Sequence, residues 1–157
     1  MKKRLGIQLG ILTLVLLMLA LPLSAGSTSF PRAATKALTA GSATPFVSIS
    51  LPASGTRTAG IVYWSIEADD GTDYQTRTAM TYFNAVNKAG TITCSVGDVG
   101  TTVVALSAST LTNTMTCVAG TGAFTIAANA ASGLTETTLR IRYRILDILG
   151  PSTGTGQ

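Results

Sequence analysis

The sequence predicts an all-β protein: a single antiparallel β-sandwich, immunoglobulin-like or jelly-roll in type, of about seven or eight strands, following a cleaved signal peptide. Three observations predict it. From Phe46 onward short apolar/polar alternations recur between turn residues, and no run has the 3.6-residue spacing of an amphipathic helix. Thr, Ser, Gly and Ala take the place of charged residues, which make up only 11% of the chain, a balance that suits strands. The two cysteines, Cys94 and Cys117, both fall on core-facing positions of the alternation.

The N-terminus comes first. Lys2, Lys3 and Arg4 precede an apolar run from Ile11 to Leu21, and Pro22 breaks it ahead of the small residues Ser24 and Ala25. That order predicts a signal peptide over residues 1–25 and hence a secreted or cell-surface protein of prokaryotic style. A retained anchor is the rival, because the apolar region from Leu5 to Leu23 approaches the ~20 residues that span a bilayer. The helix breaker and small residues favour cleavage, which leaves no membrane segment. No cysteine follows the apolar run, which argues against a lipid-anchored protein.

Residues 26–45 carry two prolines and Gly/Ser clusters without a sustained period, and read as a flexible leader, or as a strand donated to a neighbour's open edge. Residues 46–149 form the sandwich domain, with strands expected near 46–52, 58–68, 74–86, 91–97, 102–108, 111–118, 123–129 and 136–148. Residues 150–157 read as a disordered tail.

Alternation assigns the faces. Val62, Trp64 and Ile66 share one side and Tyr63, Ser65 and Glu67 the other, so the tryptophan is a core anchor. The same rule groups Ile92, Cys94 and Val96; Leu111, Met115 and Cys117; Phe124, Ile126 and Ala128; and Leu139, Ile141, Tyr143 and Ile145. One apolar face per strand is what two sheets packed face to face require. In an exported chain the paired core positions of Cys94 and Cys117 predict a disulfide.

Absent residues restrict the chemistry. There is no histidine, which excludes Ser-His-Asp and Cys-His catalysis and histidine-ligated metals. Lys88 lies among Asn, Ala and Gly, where a hairpin turn is expected instead of a Ser-Lys dyad. The precursor's charge of +4 falls to +1 once Lys2, Lys3 and Arg4 are removed, so no basic footprint for nucleic acid remains. No cofactor-binding pattern is present, and the chain is expected not to be an enzyme.

Two charged clusters remain. Glu67, Asp69, Asp70 and Asp73 lie within seven residues, and the three aspartates are a weak calcium candidate. Asp70-Gly71 between two alternating runs is also a strong hairpin signal, and the turn is the preferred reading. Arg140, Arg142 and Arg144 alternate with Ile141, Tyr143 and Ile145. They form the solvent face of the last long strand, blunt its edge, and are placed to pair with Glu67 across strands. Their second reading is a contact for an anionic partner.

Function follows at the level of class. The leading expectation is a non-catalytic structural, adhesive or self-assembling surface module, with copies of itself or a surface polymer as partner and nucleic acid excluded. The alternatives are a carbohydrate-binding module using outward aromatics such as Tyr63 or Tyr74, and a virion-type structural domain. The architecture resembles, in outline, secreted subunits of prokaryotic surface fibres and sandwich domains of phage virions. No motif carries that resemblance residue by residue.

Overall fold

The computed structural model describes residues 33–135, 138–149 and 153–156, and for residues 100, 101, 146–149 and 153–156 the backbone alone. The expected signal segment lies outside them. Among the described residues no helix is long and apolar enough to cross a membrane. Among the described residues the expected runs become seven strands, and two four-residue strands join them to make two antiparallel sheets packed as a sandwich. One sheet has the order β1 (Ala34–Ala37), β8 (Thr138–Leu149), β3 (Arg57–Asp69), β4 (Tyr74–Lys88), β5 (Thr91–Leu106). The other runs β6 (Leu111–Ala119), β7 (Ala123–Ser132), β2 (Ala43–Ser50), β9 (Thr153–Gly156). This order differs from the ABED/CFG arrangement of immunoglobulin constant domains.

Three expectations need correction. The flexible leader supplies β1, which pairs with β8 from Ala34 opposite Tyr143 to Ala37 opposite Arg140, and also the first residues of β2. Four residues without apolar alternation carry no strand signal of their own; the backbone edge of β8 makes them a strand. The tail expected over 150–157 likewise contains β9, paired with β2. Finally, the runs expected at 91–97 and 102–108 are one strand. Thr78 faces Val103 and Met80 faces Val99, so residues 100–102 are accommodated opposite Ala79 as a bulge.

The core is the set of inward positions that alternation selects. Val62, Trp64 and Ile66 are buried, as are Leu139, Ile141, Tyr143 and Ile145. Rings interdigitate between the sheets, Phe46 edge-on to Tyr143 with centroids 4.9 Å apart and Phe83 against Phe124 at 5.9 Å. Burying each large side chain contributes about 1.5–3 kcal/mol relative to exposure. Trp64 places a polar N–H in this interior and satisfies it by donating to Thr81 Oγ1 at 2.8 Å; Thr81 in turn donates to Asp98 Oδ1 at 2.6 Å.

One turn settles the end of the long β4–β5 hairpin. Lys88 pairs with Thr91 across the two-residue loop Ala89-Gly90, both at positive φ (52° and 88°), the conformation of a type I′ hairpin turn. Asn87, buried just before it, donates from Nδ2 to Leu51 O at 2.6 Å and accepts from Gly90 N at 3.0 Å, tying the segment after β2 to this turn. Cys94 and Cys117 form the expected disulfide. It joins β5 to β6, the edge strands of the two sheets on one side of the sandwich.

Candidate functional site

Charge separates the two sheets. The strands β2, β6, β7 and β9 contain no charged residue, so the charges carried by strands belong to the five-stranded sheet. Its outer face is built from β8, β3, β4 and β5, whose register aligns side chains in rows about 4.5–5.5 Å apart. One row runs Arg140, Glu67, Thr76, Ala105; the next Arg142, Ser65, Thr78, Val103. A third runs Arg144, Tyr63, Met80, Val99, and beside it lie Ile61, Tyr82 and Gly97.

The centre of this face is apolar. Tyr63 is 50% exposed, Met80 41%, Tyr82 46% and Val103 67%, and the half-buried Ile61 and Val99 adjoin them. Exposed large apolar side chains in neighbouring register positions form a patch, which isolated surface leucines or valines do not. Ser65, Thr76 and Thr78 border it with a hydroxyl cluster: Thr78 Oγ1 donates to Ser65 Oγ at 3.1 Å, and Ser65 and Thr76 are 3.2 Å apart.

The arginines form one flank. Arg140 Nε donates to Glu67 Oε2 at 2.7 Å and Arg142 Nε lies 3.2 Å from Glu67 Oε1, so one carboxylate serves two guanidinium groups. The expected cross-strand pairing with Glu67 is therefore present. Arg144, an exposed neighbour of Tyr63, has no ion pair among the described residues. Three cations against one carboxylate leave the flank net positive. A depression of about 530 Å³ opens at its Glu67–Arg140 end, where Tyr74, Thr76 and Ser107 also contribute.

The aspartates do something else. Asp69 Oδ1 accepts the Gly71 N–H at 2.6 Å, and Asp70 Oδ1 accepts those of Thr72 and Asp73 at 3.0 and 2.7 Å. Asp73 Oδ1 accepts from Ser107 Oγ at 2.7 Å. The N–H groups of Asp73 and Thr72 hold the Asp70 carboxyl below its ordinary value. These are turn-forming contacts. Among the described residues no three His, Cys, Asp or Glu side chains are grouped to hold a metal ion.

Sequence reasoning placed Tyr63 and the arginines on one face but missed Tyr82 and Met80. Their signal was available: Met80, Tyr82, Asn84 and Val86 alternate with Ala79, Thr81, Phe83 and Ala85, yet both sets hold large apolar residues, which hides the inner face. Tyr74, named with Tyr63 as a sugar platform, sits at the Asp69 end, opposite that residue and away from the central patch.

Fold and face together define an all-β, two-sheet antiparallel sandwich with one decorated sheet. Two solved structures are similar to it. One is the tailspike protein of Acinetobacter baumannii phage AM24, at 10% identity and TM-score 0.41, with 81% of this chain matched to 28% of that one. The other is the tailspike protein of Acinetobacter phage vB_ApiP_P1, at 15% identity and TM-score 0.42, with 78% of this chain matched to 22% of that one. This chain thus spans about a quarter of the length of either tailspike. No protein-family model and no curated protein sequence matches the chain.

Proposed function

We propose that the chain is an exported, non-catalytic structural module that assembles with copies of itself, in a cell-surface or virion-type setting, through the outer face of the five-stranded sheet. The observation that carries this reading is the apolar centre of Tyr63, Met80 and Tyr82 flanked by arginines. Tyr, Met and Arg are the residues enriched at protein interfaces, whereas Lys and Glu are depleted there. Met80 stands opposite Tyr63 and Ile61 opposite Tyr82, with Val99 beyond Met80, so the face offers a protein-packing surface in place of the flat row of rings that a sugar chain would stack on.

Charge supports a copy of the same chain as partner. The flank holding Arg144 is net positive, and Asp70 and Asp73 on the β3–β4 turn supply the complementary sign. The disulfide supports an oxidising compartment.

Met80→Glu tests the reading. Met80 is exposed on the outer face, so the variant is expected to melt like the wild type, while a carboxylate in the apolar centre lowers the mass measured by sedimentation toward that of a monomer. An unchanged assembly would reject this face as the contact.

A further inference from the structure

We propose that the second half of β5, residues 102–106, is a self-pairing edge, through which two copies join their five-stranded sheets into one antiparallel sheet. The proposal rests on the self-assembly reading but uses a different surface. Among the described residues, β5 pairs with β4 on one side and with no strand on the other. The free row of N–H and C=O groups is a template for another extended backbone.

The remaining edges of the two sheets differ from this one. β1 and β9 are four residues each, and β1 carries Lys36. β6 is bound to the first half of β5 through Cys117 and Cys94. Beyond the bulge at residues 100–102 that clamp no longer applies. There Val103 is 67% exposed, Val104 42% and Leu106 42%. Adjacent strand residues point to opposite faces, so exposure of both valines means that this half is covered on neither side. Two of the devices that blunt an edge, charge and proline, are also missing here: residues 99–135 contain neither.

The chemistry selects a second copy as the occupant. Residues opposite one another in an antiparallel ladder share a face, so a two-fold axis through Val104 sets it against the partner's Val104. Val103 then meets the partner's Ala105, and Thr102 the partner's Leu106. Every pairing is apolar or β-branched, and no like charges meet. A five-residue ladder is small against the ~1,200 Å² of a stable interface, so the pairing is weak and concentration-dependent.

Cross-linking tests it. Opposed Cα atoms at the axis lie about 4.5–5.5 Å apart, within disulfide reach. Val104→Cys is expected to give a covalent dimer under mild oxidation, several-fold more than Thr91→Cys on the clamped half. Met80→Glu placed in the same chain should leave that cross-link intact, and Leu106→Lys, at an edge position outside the outer-face patch, should abolish it without moving the melting temperature. No excess dimer from Val104→Cys, in a wild-type chain that does associate, would overturn the edge proposal and leave the outer-face reading standing. A wild-type chain that stays monomeric, with no excess cross-link, would overturn both.

Discussion

Cys94 on β5 and Cys117 on β6 hold together edge strands of different sheets, with Cα atoms 6.1 Å apart and a sequence separation of 23. No backbone ladder joins these strands, so the disulfide closes this side of the sandwich covalently. It also divides β5 into a clamped half and an unclamped one.

Replacing both cysteines by alanine should therefore lower stability by about 3 kcal/mol, the loop-entropy value for a closure of this length. Denaturant unfolding of the two forms measures it. The wild-type protein purified without reductant should show no free thiol by mass spectrometry.

Thr81 accounts for the polar end of the buried tryptophan. Thr81→Val keeps the shape but leaves the Trp64 N–H without an acceptor, which should cost about 1–3 kcal/mol. Asp98→Asn retains an oxygen acceptor for Thr81 and should be nearly neutral. Equal stability of the valine variant and the wild type would remove Thr81 from this role.

The β3–β4 turn carries a pH signature. The Asp70 carboxyl is held below its ordinary value of 3.8 by the N–H groups of Asp73 and Thr72. A depressed folded-state value stabilises the fold above the unfolded value and loses that contribution as pH falls below about 3.8. Asp70→Ala should thus be less stable than the wild type at neutral pH, with the gap narrowing in acid. A gap that stays constant down to pH 2 would contradict this account.

The last long inner strand, β8, separates two outcomes one residue apart. Changing Arg140, Arg142 and Arg144 together to Gln removes exposed pairs worth about 0–1 kcal/mol each, so melting should barely shift. Ile141→Ala, at a fully buried position, should cost about 2–5 kcal/mol. Severe unfolding of the triple variant would mean that the arginines are structural.

Legibility in the sequence followed physical cause. Inward and outward sides of β3 and β8 were readable because a period of two is imposed by the pleat, and the Arg-to-Glu67 pairing followed from parity. β1 and β9 were not readable, because a four-residue edge strand owes its existence to a neighbour's free backbone and not to its own side chains. The bulge in β5 was visible only as a break between two runs. Asn87 and Thr81 gave no signal, since their worth depends on partners far away in sequence, Leu51 and Trp64.

The central claim is that this sandwich assembles with itself, and the size of the purified protein across a wide concentration series tests it most directly. Sedimentation is expected to show mass rising with concentration toward a defined oligomer or fibre, and falling back in the Met80→Glu variant. A wild-type protein that sediments as a monomer at every concentration would contradict the account.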